Sequence, residues 1–161
     1  MAFALGDIQG WRDGLSCTPT ALAAVTGKTP DEIGALLRRA AKIYGREIPA
    51  QPRADYDIND WLKAIRLLGG DWVQAEKFDD RPFGARPTID EWMADHVGAD
   101  LELAFCDDDG EMGHVFGTIE GDVVDTYTGG RRVPFDKVPA EYRMLRVKRT
   151  FLVFAAEDGD T

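Results

Sequence analysis

The sequence predicts an α+β domain in which N-terminal helices pack on an antiparallel sheet. Helical periodicity and capping signals dominate the chain before Leu101, whereas short runs rich in β-branched and aromatic residues follow it. This segregation of helices and strands is typical of α+β domains. With 161 residues, the chain is long enough to bury one core. We expect a single domain over residues 1–156 and a frayed tail over 157–161.

The first helix is predicted to begin next to Cys17. Before it, glycines and aspartates indicate turns that apolar side chains such as Ile8 and Trp11 anchor. From Thr18 the pattern becomes helical, with Pro19 tolerated in the first turn and Gly27 at the end.

Three further helices follow from their capping signals and apolar spacing. Thr29 caps a second helix with Glu32 placed reciprocally, and its predicted apolar stripe comprises Ile33, Leu36, Leu37, Ala40 and Ile43. A third helix is predicted from Asn59 to Leu68, and Thr88 with Glu91 caps a fourth. We expect His96 to cap the C-terminal end of that fourth helix.

Strands are predicted mainly in the second half of the chain, after an early one at Trp72 to Ala75. Their composition and the turns between them define the later runs, which are Leu101–Cys106, His114–Ile119, Val123–Tyr127, Arg143–Val147 and Phe151–Ala155.

Composition and charge exclude several classes of partner. The 19 basic and 29 acidic residues give a net charge of −10, which argues against nucleic acid because its binders present a basic face. No segment approaches the ~18 apolar residues of a membrane span, so we expect no membrane partner. The N-terminal residues lack signal-peptide features, which favours a cytoplasmic or phage-delivered protein.

The chain's two cysteines, Cys17 and Cys106, are expected to be free thiols in a reducing compartment. Cys106 ends an apolar strand and is expected to pack in the core. Two histidines and two cysteines without paired ligand spacing predict no metal or other cofactor. The acidic run from Asp107 to Glu111 does not fit a calcium loop and favours a solvated turn.

Cys17 is a candidate nucleophile because of its place at the start of a helix. Unpaired backbone N–H groups and the positive end of the helix dipole favour thiolate over thiol there. The alternative is that the side chain is a small packed hydrophobe. A catalytic cysteine also needs a histidine and a group that orients it.

His114 and Asp125 are predicted to meet across a hairpin. If Glu120 and Gly121 form a two-residue loop, Ile119 pairs with Asp122 and the ladder continues outward until His114 opposes Tyr127. Asp125, opposite Phe116, then lies diagonal to the imidazole and within its reach. A carboxylate there would fix the imidazole tautomer and support the imidazolium form.

Three short motifs carry a resemblance to a known family: Cys17 opening the helix CTPTALAAVTG, Gly113 and His114 opening a strand, and VVDTYTGG on the next strand. They resemble the papain-like cysteine peptidases, in particular compact bacterial and phage-encoded members related to NlpC-type and bacteriocin-leader peptidases. The resemblance implies a papain-like fold with Cys17 as nucleophile, His114 as general base and Asp125 as the group that orients His114.

The residues before Cys17 differ from the pattern of many papain-like enzymes, which place a Gln a few residues ahead of the cysteine. Here position 11 is Trp and the nearest glutamine is Gln9. The loop with Asp13 and Ser16 is similar to the Asp-Gly-x-Cys loop of OTU-type deubiquitinases, with one residue more. We expect the Cys17 N–H and this loop to hold an oxyanion, with Gln9 as a side-chain donor. Trp11 is expected to form a wall of the cleft.

The sequence therefore predicts a cysteine hydrolase that cleaves an amide or isopeptide bond in a peptide or protein substrate. A protein tail, a cell-wall peptide and a ubiquitin-like conjugate stay open as substrates, as does acyl transfer to an amine. The alternative is a catalytically silent papain-like module with a binding or phage-structural role.

Overall fold

The computed structural model describes residues 3–12, 15–47, 58–95, 100–108 and 113–156. Within them the chain forms an α+β domain with a six-stranded antiparallel sheet in the order β1-β6-β2-β3-β4-β5. The helices are α1 (Cys17–Thr26), α2 (Pro30–Ile43), α3 (Ile58–Leu67), α4 (Ile89–Asp95) and α5 (Ala140–Arg143). The strands are β1 (Gly70–Lys77), β2 (Glu102–Asp107), β3 (Gly113–Ile119), β4 (Asp122–Val124), β5 (Val133–Pro134) and β6 (Arg146–Ala155). None of the helices in these ranges has the length and apolar content to cross a bilayer.

The two faces of the sheet carry separate apolar clusters. Helices α1, α2 and α3 cover one face, where Leu103, Val115 and Phe151 are buried. Helix α4 covers the other face, where Ala104 and Phe116 are buried. Since side chains alternate along a strand, neighbouring residues of β2 and β3 supply the two clusters in turn.

The predicted capping signals form hydrogen bonds at two helix starts. In α2, Thr29 and Glu32 exchange backbone and side-chain bonds as a capping box. At α4, Thr88 and Glu91 do the same, each at 3.1 Å. Both predictions are confirmed, and Gly27 ends α1 in the left-handed conformation.

Several sequence predictions are wrong in detail. The runs Arg143–Val147 and Phe151–Ala155 are not two strands, because β6 continues from Arg146 to Ala155 without a turn residue and Arg143 belongs to α5. The strand predicted to reach Tyr127 ends at Val124, since residues 126–128 form a 3-10 turn. Ile43 is 54% exposed, because it is the last residue of α2 and no described element covers it.

Other sequence predictions fall on residues outside the described ranges: Asp13, His96, the part of the acidic run at 109–111 and the tail 157–161.

Gly117 on β3 lets helix α1 lie directly on the sheet. A Cβ at this position would be 2.9 Å from Val25 Cγ1 and 3.0 Å from Leu5 Cδ1. The helix and the strand run in the same direction, because Cys17 lies at the Gly113 carbonyl and Ala24 lies beside Gly117. Cys17 to Ala24 spans about 11 Å of helix and Gly113 to Gly117 about 13 Å of strand. Because these two lengths are similar, the start of α1 lies at the start of β3.

We expect Gly117→Val to lower the free energy of unfolding by about 1–3 kcal/mol, because the new side chain must displace α1. The same shift should slow alkylation of Cys17 by iodoacetamide. Chemical denaturation and peptide mass spectrometry measure the two effects. Gly84→Ala is the matched control, since a Cβ there meets no atom within 4 Å. Unchanged stability and alkylation in Gly117→Val would contradict the close approach.

Candidate active site

Cys17 is the first residue of α1 and is half-buried. Ser16 precedes it in an extended conformation, and the Ser16 side chain does not cap the helix. Pro19 has no N–H, and Thr20 donates from its hydroxyl to the Ser16 carbonyl at 2.9 Å. The backbone N–H groups of Cys17 and Thr18 therefore have no acceptor within the helix, and the positive end of its dipole lies at the thiol.

The sulfur of Cys17 occupies an edge of β3 that β4 leaves uncovered. The ladder between β3 and β4 begins at Gly117 and Val124, so residues 113–115 have no partner there. Cys17 Sγ lies 4.0 Å from the Gly113 carbonyl oxygen and accepts a hydrogen bond from the Val115 N–H. The short length of β4 thus makes room for the Cys17 sulfur.

The hairpin that brings His114 to Asp125 has the predicted two-residue loop. Glu120 and Gly121 have φ angles of 52° and 82°, as in a type I′ turn. The pairing of Ile119 with Asp122 is confirmed. The ladder ends before Asp125, so the predicted pairing of His114 with Tyr127 is wrong.

Asp125 nevertheless contacts the imidazole directly. Its Oδ2 lies 2.7 Å from His114 Nε2, and both residues are 5% exposed. Its Oδ1 accepts from the Thr126 backbone N–H at 2.6 Å, and its own N–H donates to Thr128 Oγ1 at 3.0 Å. The carboxylate is therefore fixed on both oxygens. Since Nε2 faces Asp125, Nδ1 is the nitrogen that remains for Cys17.

Aromatic rings cover the buried pair. The His114 ring lies 5.2 Å from that of Tyr127 and 6.3 Å from that of Phe116, centroid to centroid. Tyr127 in turn stacks on Tyr142. A cavity of only about 10 Å³ remains beside His114 and Asp125, room for about one water molecule. The rings exclude bulk water, which strengthens the electrostatic interaction between His114 and Asp125.

These contacts shift the pKa values of both reacting groups. Burial by itself lowers the pKa of His114, but the charge and hydrogen bond of Asp125 and the contact with Cys17 raise it to about 10. Burial raises the pKa of Cys17, but the hydrogen bond and charge of His114, with the Val115 N–H, bring it below the ordinary value of 9.0. The favoured state is a thiolate beside an imidazolium, which combines a nucleophile with a proton donor.

The residues predicted for the oxyanion region and the cleft wall, Trp11, Ser16 and Gln9, differ from one another in burial and contacts. Trp11 packs on Gly130, where a Cβ would be 2.6 Å from Trp11 Cγ, and so lies against the loop that follows Asp125. The Ser16 hydroxyl is buried without a hydrogen-bond partner among the described residues. Gln9 is exposed, one residue before Gly10 with its φ of 77°. The structure brings Cys17, His114 and Asp125 together.

Cys106 has a structural position next to the site. It pairs with His114 across β2 and β3, is fully buried and donates to the His114 carbonyl oxygen at 3.4 Å. Burial raises its pKa well above the ordinary value, so it is an inert thiol. The prediction of a core position for Cys106 is confirmed.

Sequence reasoning missed the residues that hold Asp125 and cover His114. Thr126 and Thr128 were detectable in principle, since an Asp before a short turn that ends in glycine is a capping signal. Tyr142 is distant in sequence and gave no signal. Among the described residues, no three His, Cys, Asp or Glu side chains converge as a metal site would require.

No protein-family model matches this chain, and no curated protein matches it. Any assignment of chemistry therefore depends on the geometry of Cys17, His114 and Asp125.

The pH dependence of Cys17 alkylation should report the thiolate–imidazolium pair. Because the pKa of Cys17 is lowered, the rate should reach its plateau at a lower pH than the rate for a free-cysteine peptide does, and because the pKa of His114 is raised to about 10 the imidazolium stays beside the thiolate up to about that pH. Below the plateau the rate should fall as the pH drops through the lowered pKa of Cys17. Iodoacetamide labelling followed by peptide mass spectrometry measures this profile. A rate with the same pH profile as that of a free-cysteine peptide would contradict the pair.

Asp125→Asn should weaken the thiolate at acidic pH. Loss of the carboxylate lowers the pKa of His114 and so removes the imidazolium that stabilises the Cys17 thiolate. The Asp125 charge also raises the pKa of Cys17 directly, but this effect is smaller than that of His114, so the alkylation rate of Cys17 at pH 6 should fall about tenfold or more. Asp136→Asn removes an exposed carboxylate of the same type and should leave the rate unchanged. Circular dichroism checks that both variants are folded. Equal rates in the folded Asp125→Asn variant and the wild type would show that Asp125 does not tune the pair.

Proposed function

We propose that this protein is a papain-like cysteine hydrolase that cleaves an amide or isopeptide bond in a peptide or protein substrate. The observation that carries the proposal is the continuous contact from Cys17 to His114 and, at 2.7 Å, to Asp125. A thiolate, an imidazolium and an orienting carboxylate in this order are what nucleophilic attack on a carbonyl requires. The short sequence motifs around the three residues support the same class of enzyme.

In the proposed reaction, the thiolate of Cys17 attacks the carbonyl carbon, and a C–S bond forms while the carbonyl oxygen gains the negative charge. The C–N bond then breaks, and the imidazolium of His114 gives its proton to the leaving amine. Neutral His114 next takes a proton from water, whose oxygen attacks the thioester carbon. The C–S bond breaks, the acid leaves, and the thiolate and imidazolium return.

The start of α1 supplies donors for the oxyanion in this proposal. The N–H groups of Cys17 and Thr18 have no acceptor within the helix and lie next to the sulfur. Backbone donors aimed at a developing oxyanion contribute about 3 kcal/mol each in other enzymes. The exposed Gln9 is therefore not needed as a side-chain donor.

Buried Asp125 keeps His114 charged until the amine leaves. The pKa of about 10 for His114 applies while the thiolate is present. Once the sulfur is acylated its negative charge is gone, and the pKa of His114 falls. The fall makes His114 a better proton donor at the moment when the amine needs a proton.

Cys17→Ala should abolish turnover. We expect a loss of about 10³-fold or more in kcat/KM, because both covalent steps need the sulfur. A fluorogenic peptide and isopeptide library, read by mass spectrometry, identifies a substrate and measures the loss. Cys106→Ala is the matched control and should retain activity if it folds, because Cys106 is buried and only its thiol is removed. Undiminished turnover in Cys17→Ala would refute the proposal.

The same library distinguishes a hydrolase from the alternative, a catalytically silent binding module. A hydrolase should accumulate a thioester at Cys17 when the reaction is quenched with acid, and the adduct mass identifies the acyl part. If Cys17 is alkylated rapidly but no library member is cleaved or acylates it, the protein is a binding module and not a hydrolase.

A further inference from the structure

A second cavity lies on the opposite side of α4 from His114. Helix α4 turns Ile89 toward the small cavity at His114, whereas Glu91 and Trp92 face a cavity of about 410 Å³. This volume is within the range of small-molecule sites. The lining comes from the end of β1, the segment before α4, α4 itself and the start of β6.

Backbone carbonyl groups fix two arginines in this lining. Arg86 donates from Nε to the Arg81 carbonyl at 3.2 Å and from Nη2 to the Asp79 carbonyl at 3.3 Å. Arg146 donates from Nη1 to the Arg86 carbonyl at 2.5 Å. Both guanidinium groups also lie over the ring of Phe83. They are held in place before any ligand arrives, which lowers the entropic cost of binding.

Each of these arginines forms one long ion pair through its Nη1 atom. Arg86 Nη1 lies 3.6 Å from Asp107 and Arg146 Nη1 lies 4.0 Å from Glu91, both beyond ordinary hydrogen-bond distance. Glu91 already accepts the Thr88 N–H with that oxygen. Arg81 is exposed, and its guanidinium group lies over the ring of Phe78. Guanidinium donors therefore remain for a bidentate carboxylate, the anion that their planar shape matches.

The acidic side chains narrow the class of ligand. The lining holds three arginines and three carboxylates, so its formal charge is zero. A dianion such as phosphate carries one negative charge more than a carboxylate, so Glu91 and Asp95 in the lining repel it more strongly. A ligand that carries both a carboxylate and an ammonium group can pair with the arginines and with the acidic side chains of the lining. The rings of Phe78 and Trp92 supply an apolar wall, and a hydrogen bond of 2.9 Å from Trp92 Nε1 to Glu76 fixes the indole.

We propose that this cavity is a binding site for a short zwitterionic peptide, with its C-terminal carboxylate on Arg81 and Arg146 and its ammonium group toward Asp95. None of Cys17, His114 and Asp125 lines this cavity. Binding there does not depend on turnover at Cys17.

Isothermal titration of the full chain with trialanine tests the site. We expect binding that weakens about tenfold or more in Arg81→Gln and in Arg146→Lys, because each loses a bidentate donor. Arg81→Gln changes an exposed side chain and should fold normally. Arg66→Gln is the matched control, since Arg66 is an exposed arginine over Trp72 and outside the cavity. Cys17→Ala should bind as the wild type does, whatever its turnover.

Three chemical variants of the probe check which groups are recognised. Trialanine amide lacks the carboxylate and N-acetyl-trialanine lacks the ammonium group, so both should bind at least about tenfold more weakly. Inorganic phosphate should not compete. The proposal is overturned if trialanine does not bind, if the amide binds equally well, if phosphate displaces trialanine, or if Arg81→Gln has wild-type affinity.

Discussion

The contact between His114 and Asp125 is the interaction on which the rest of the candidate site depends. Removing two charged side chains from water costs several kcal/mol per ion unless each is paired and hydrogen-bonded. Here the second carboxylate oxygen is satisfied by Thr126, and the imidazole keeps one nitrogen for Cys17. The cover of Phe116 and Tyr127 makes the pairing strong enough to hold a charged imidazole inside the domain. The result is a lowered pKa for the Cys17 thiol.

The backbone makes this arrangement possible through an early end to one strand. If β4 continued in register, its residues would pair with β3 at Val115, where the sulfur lies. The 3-10 turn after Asp125 diverts the chain and leaves that edge to α1. Gly117 allows the helix to pack without a gap. One turn and one glycine thus determine where the helix meets the sheet.

The sequence predicted those parts of the fold that local chemistry determines. Caps at Thr29 and Thr88 and the two-residue turn at Glu120 depend on neighbouring residues, and all were predicted correctly. The end of β4 was missed because a strand pattern continues through Tyr127, while the turn follows from side-chain bonds of Asp125. The stacking of Tyr142 on Tyr127 depends on long-range packing, which leaves no periodic signal in the sequence.

Hydrogen bonds join the segment before Cys17 to Arg132, which lies far along the sequence. Asp7 accepts the backbone N–H of Arg132 at 2.8 Å, and Arg132 donates at 3.2 Å to the carbonyl of Leu5, across 125 and 127 residues of sequence. Contacts of such separation close large loops and tend to form late in folding. During synthesis the cysteine emerges long before its histidine does. A nascent chain that has not yet reached His114 therefore carries Cys17 without the contact that lowers the pKa of its thiol.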